Sequence, residues 1–83
     1  DASMQIKLKR LESQRNALYE QLGRLTYRQL KTGESQAEKI AATIEGIDDV
    51  RTKHRAQAEL IEKTKRERAE KKAAFEAEAE DRE

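Results

Sequence analysis

Apolar residues recur along the first third of the chain at helical intervals. Met4, Leu8, Leu11, Leu18, Leu22 and Leu25 are separated by steps of four, three, seven, four and three. The seven-residue gap leaves Arg15 on the same stripe. This spacing predicts a helix over 4–31 with a heptad seam and one polar layer. A second, weaker stripe runs beside it through Tyr19, Gly23, Thr26 and Leu30, flanked by Tyr27. Tyr19, Gly23, Tyr27 and Leu30 therefore form a candidate docking face. A glycine inside a helix costs roughly 0.5–1 kcal/mol relative to alanine. Close approach of another backbone is one reason to keep it there; a tolerated glycine beside half-exposed tyrosines is the other.

The stripe stops at Lys31-Thr32-Gly33-Glu34-Ser35-Gln36-Ala37-Glu38. Gly33 suits the left-handed position that closes a helix, and Lys31 suits the negative end of the helix dipole. Ser35 and Glu38 have the spacing of a capping box. A stop and a start this close predict a turn over 32–35 and a second helix from 36. Ala37, Ile40, Ile44, Ile47, Arg51, His54, Ala58 and Ile61 then continue a seam, with Val50, Leu60 and Ala42 beside it. Folding at Gly33 brings together positions whose numbers sum to about 66. Leu22 is expected to meet Ile44, Leu18 to meet Ile47, and Arg15 to lie level with Arg51. Glu12 and Asp48 lie a turn away, where they can separate the two arginines. The interaction seam so predicted is Leu8, Leu11, Leu18, Leu22, Leu25, Ile40, Ile44, Ile47 and Ile61.

The predicted fold is all-α: an antiparallel two-helix hairpin, coiled-coil-like, over residues 4–61, with a longer second helix and self-association. Both stripes run out together near Met4 and Ile61, which favours a hairpin over its rival, one continuous helix through Gly33. Past Ile61 the seam fails but helix formers and Glu-to-base pairs at i,i+4 persist. Residues 62–83 read as a charged single-helix extension, frayed at its acidic end because carboxylates there oppose the dipole. Residues 1–3 are expected to be disordered or a cloning remnant.

Composition supports a long helix and little else. The 83 residues contain no proline and no cysteine, and 42% are charged against 4% aromatic. Such a chain has too few large apolar side chains for a globular core, and a lone hairpin gains little from one seam, so a homo-oligomer, with a dimer favoured, and an unknown protein partner are expected. Net charge is +1, yet residues 1–33 hold seven Lys/Arg against three acids, an asymmetry that head-to-tail or antiparallel contacts can use. Without cysteine there is no thiolate metal site or redox motif. No apolar run approaches the ~18 residues of a membrane span, and with no signal peptide the cytoplasm is the expected compartment.

Candidate chemistry is sparse. His54 is the single histidine, and catalysis would require a partner in a concave pocket; a seam or edge histidine is the simpler account. Asp48-Asp49 lacks the ligand spacing of a calcium or zinc site. No catalytic residue, cofactor or metal is assigned, and the chain is read as non-enzymatic. Its expected role is a structural and protein-interaction module that oligomerises and presents a long charged helix to a partner. The alternative is weak binding of nucleic acid or an anionic surface through the basic face of the first helix, which no base-reading motif supports.

The stretch Leu18-Tyr19-Glu20-Gln21-Leu22-Gly23-Arg24-Leu25-Thr26-Tyr27 resembles the L-Y-x-x-L-G-x-L-x-Y segment of small uncharacterised bacterial coiled-coil proteins, several of which carry a zinc ribbon after the coil. The likeness covers these ten residues and, in general pattern, residues 6–61. It implies a bacterial, cytoplasmic helical hairpin of no known activity, in which Tyr19, Gly23 and Tyr27 are a packing signature. Having no cysteine, this chain inherits no metal site from it.

Overall fold

Two helices make up the fold in a computed structural model that describes residues 2–81. Helix α1 spans Ala2–Thr32 and helix α2 spans Ala37–Asp81. They pack antiparallel along the length of α1, in a rod of 78 × 16 × 15 Å. The all-α hairpin with a longer second helix is therefore what the chain forms. Among the described residues, no helix is long and apolar enough to cross a membrane.

The turn is built as its residues dictate, with one change of detail. Gly33 has φ 77°, a region in which a Cβ crowds the following carbonyl. Its N–H donates to Gln29 O at 2.9 Å, the single bond of a left-handed helix cap. Thr32 Oγ1 donates to Arg28 O at 2.7 Å and accepts from Glu34 N at 3.2 Å. The expected Ser35–Glu38 capping box is replaced by a different arrangement. Ser35 Oγ accepts from Ala37 N at 3.3 Å, and Gln36 N donates across the turn to Gln29 Oε1 at 2.8 Å. Gln36 O accepts the first helical bond, from Ile40 N, so the cap sits one residue later than the Ser-x-x-Glu spacing indicates. A glutamine on α1 thus supplies the acceptor expected of Glu38, and it ties the two helices at their junction.

Beyond the turn, the seam of α1 is the predicted one. Leu11 is buried, and Met4, Leu8, Arg15, Leu18, Leu22 and Leu25 are half-buried. Helix α2 needs correction. Its inward residues include Ile40, Thr43, Ile47, Val50, His54, Gln57, Ala58 and Ile61; Thr43 and Val50 take the places expected of Ile44 and Arg51, and buried Gln57 joins half-buried Ala58. Ile44 is 44% exposed while Thr43 is 4% exposed, so the enclosed residue at this level is Thr43 and not Ile44. Ile40, Ile47 and Ile61 set the frame of the stripe. Stepping three from Ile40 reaches Thr43, and Ile44 lies ~100° further around the helix. Thr43 can be buried because its hydroxyl donates to Lys39 O at 2.7 Å. Gln57 can be buried because its Nε2 donates to Met4 O at 3.0 Å.

Contacts across the seam fix the register. Gln29 meets Gln36, Leu18 lies against Gly46, and Glu12 Oε1 lies 3.4 Å from His54 Nε2; these pairs sum to about 65. Gln57 reaches one turn further along, to Met4. Of residues 1–3, expected to be disordered or a cloning remnant, Ala2 and Ser3 are helical, and Asp1 lies outside the described residues. Helix α2 continues unbroken to Asp81; the fraying expected at the acidic end falls partly on residues 82 and 83, which are also outside them.

Candidate functional site

Three parts of the surface are candidates for function, and each is described from how the seam is built. The first is the length of α2 left over when α1 ends. Thr64 is the last half-buried residue. Residues 65–81, about 25 Å of helix at ~1.5 Å per residue, are exposed on every side. Phe75 within them is 71% exposed. Residues 63–72 hold six Lys/Arg and two acids, whereas 73–81 hold four acids and no base. The extension therefore carries a positive block, then a negative one. Lys63 pairs with Glu67 at 4.0 Å and Lys65 with Glu62 at 3.6 Å, exposed pairs worth a few tenths of a kcal/mol each.

The second is the outer face of α1, and the structure divides the four residues proposed for it. Gly23 and Tyr27 line one shallow surface with Arg24, Arg28 and Lys31. Tyr19 instead faces a separate cleft between the helices. Leu30, 80% exposed, borders neither. Around Gly23 nothing lies within 4 Å of where a Cβ would stand. The close backbone approach offered as a reason for Gly23 is therefore not made by α2. The glycine that α2 brings against α1 is Gly46, whose added Cβ would sit 3.5 Å from Leu18 Cδ1. Periodicity passed over Gly46 because a glycine adds nothing to an apolar stripe; its place one residue before Ile47, beside the seam, is the signal that could have found it.

The third is that cleft, about 640 Å³ in volume, with Arg15 and Tyr19 on one wall and Arg51, His54 and Arg55 on the other. Arg15 and Arg51 come to the same level, as expected, but no acid separates them. Glu12 is turned to His54 and lies 3.8 Å from Lys9 Nζ, and Asp48 makes no ion pair within 4.0 Å among the described residues. Arg15 is held by Asn16 Oδ1, which accepts from Nε at 3.2 Å and Nη2 at 3.1 Å. His54 is 27% exposed at its side chain and sits on the seam edge, with Glu12 as its neighbour and no nucleophile beside it. Among the described residues, no group of three or more His, Asp and Glu side chains is placed to hold a metal ion.

In comparisons with known proteins, no family model, no curated protein and no solved structure matches the chain. The fold and the surfaces just described are therefore what a functional reading rests on.

Proposed function

We propose that the chain is a non-enzymatic interaction module: a helical hairpin that self-associates and presents the extension of α2 to a protein partner. The observation that carries this reading is the continuation of α2 past Thr64 with every residue exposed. A helix of this length outside any tertiary contact is marginal in water. Strong helix formers hold it, and a second surface laid against it would secure it. The division of the extension into a basic and an acidic block gives such a surface a direction to read, because a partner segment of the opposite order is attracted and a reversed one repelled. The Leu18–Tyr27 resemblance is compatible with this role.

Phe75→Glu tests the proposal. Phe75 is far from the hairpin contacts, so the variant should melt within about 0.5 kcal/mol of the parent. It should lose self-association in sedimentation, or capture of the partner, if the extension docks. Association unchanged in Phe75→Glu and abolished in Gly23→Leu would move the docking surface to α1. The alternative, an anionic polymer on the basic face of α1, is favoured only by Arg28 and Lys31 around exposed Tyr27, beside Arg24, whose guanidinium meets Glu20 at 2.8 Å. Retention of RNA at low salt that collapses as salt rises, and that disappears in Arg28→Glu, would support it over the protein-docking reading.

A further inference from the structure

We propose that the cleft between Arg15 and the Arg51–Arg55 pair binds a phosphate-class anion, either inorganic phosphate or a short polyphosphate. The site lies within the hairpin and depends on neither the extension nor its partner.

Positive charge is gathered here without compensation. Some cations on the rod have carboxylate partners, as Arg24 has Glu20 at 2.8 Å, Lys53 has Asp49 at 2.9 Å and Lys9 has Glu12 at 3.8 Å. Others have none among the described residues; what sets the cleft apart is that three arginines from two helices line one surface. Among the described residues, no carboxylate comes within 4.0 Å of Arg15, Arg51 or Arg55. Arg51 and Arg55 are four apart on one helix, a spacing at which like charges destabilise, and Arg15 adds a third cation from the other helix. Of the three, Arg15 stands on the stripe itself, half-buried at a point that would accept an apolar residue. Asn16 supports it in a particular way: its neutral oxygen accepts two hydrogen bonds from Arg15, which orients the guanidinium and leaves the charge whole.

The ligand class follows from the donors. A guanidinium is a planar fork suited to pairs of oxygens on carboxylate or phosphate. Three guanidinium groups lining one cleft from two helices offer more N–H groups than the two oxygens of one carboxylate can accept. A tetrahedral phosphate, with more acceptor oxygens and between one and two negative charges at neutral pH, matches them better. Tyr19, 44% exposed on the same cleft, adds a neutral donor at the rim. A cleft of about 640 Å³ has room for more than one phosphoryl group, so pyrophosphate should bind more tightly than phosphate.

The test is calorimetric titration of the full chain with phosphate and pyrophosphate, alongside melting in the same anions and in chloride at matched ionic strength. Pyrophosphate should bind with a stoichiometry near one per hairpin and raise Tm above the chloride control. Arg51→Gln and Arg55→Gln should each weaken pyrophosphate about tenfold, the loss of one charge-assisted contact. Without anion both should melt at or above the parent, because a repulsion has been removed. Lys39→Gln, away from the cleft, should leave binding unchanged. The inference is overturned if pyrophosphate gives no heat or Tm gain beyond chloride. It is equally overturned if Arg51→Gln and Arg55→Gln keep full affinity, or if Lys39→Gln costs as much as they do, since the anion would then be reading diffuse surface charge.

Discussion

Thr43 and Ile44 show how finely the interior is decided at the level of single residues. The larger and more apolar of the two faces solvent, because the frame set by Ile40, Ile47 and Ile61 leaves the inward position to its neighbour. Ile47→Ala should cost ~2–5 kcal/mol in a melting or denaturant series, whereas Ile44→Ala should stay within about 0.5 kcal/mol. Equal costs would mean that the α2 stripe is rotated from the one described. Two glycines differ in the opposite sense. Gly33, at φ 77°, should lose ~1–2 kcal/mol on replacement by alanine. Gly46→Ala should instead gain roughly 0.5–1 kcal/mol from helix propensity, since the new methyl meets Leu18 at an ordinary contact distance. A destabilised Gly46→Ala would show that the helices lie closer than this geometry allows.

At the scale of elements, most of the hairpin is legible from spacing alone. The α1 seam, the stop at Gly33 and the excess length of α2 all follow from where leucine, isoleucine and glycine recur. What spacing does not reveal is polar burial. Thr43 and Gln57 are inside because each hydroxyl or amide finds a carbonyl, on its own helix or on the facing one, and such partners exist only after the chain has folded. The same holds for Gln29, which accepts at the turn a backbone N–H of the kind that Glu38 was expected to accept. Of the candidate surfaces, the extension was visible in the sequence; the arginine cleft was visible only as two arginines at one level, with Arg55 and Tyr19 added by the fold. The junction makes its own prediction. Inserting Gly-Gly after Gly33 lengthens a loop, which costs little, so helicity by circular dichroism should be nearly unchanged. A large loss of helicity would indicate a helix running through the insertion point.

For the whole molecule, the consequence is an uneven rod. One end is two helices thick, with its buried polar groups satisfied among the described residues; the other is a single helix with charge divided along it. Stability should be divided in the same way, because regions with few buried contacts open at low free energy. Hydrogen exchange of the full chain, measured at high dilution and again under conditions of association or with a captured partner, tests the proposed docking role most directly. At high dilution, amides of the hairpin seam around Leu11, Ile47 and Val50 should be protected and those of 65–81 should exchange freely. On association, new protection should appear first in 65–81. New protection confined to the Tyr19–Leu30 face, with 65–81 still exchanging freely, would contradict the proposal that the extension of α2 is the element by which this protein engages its partners.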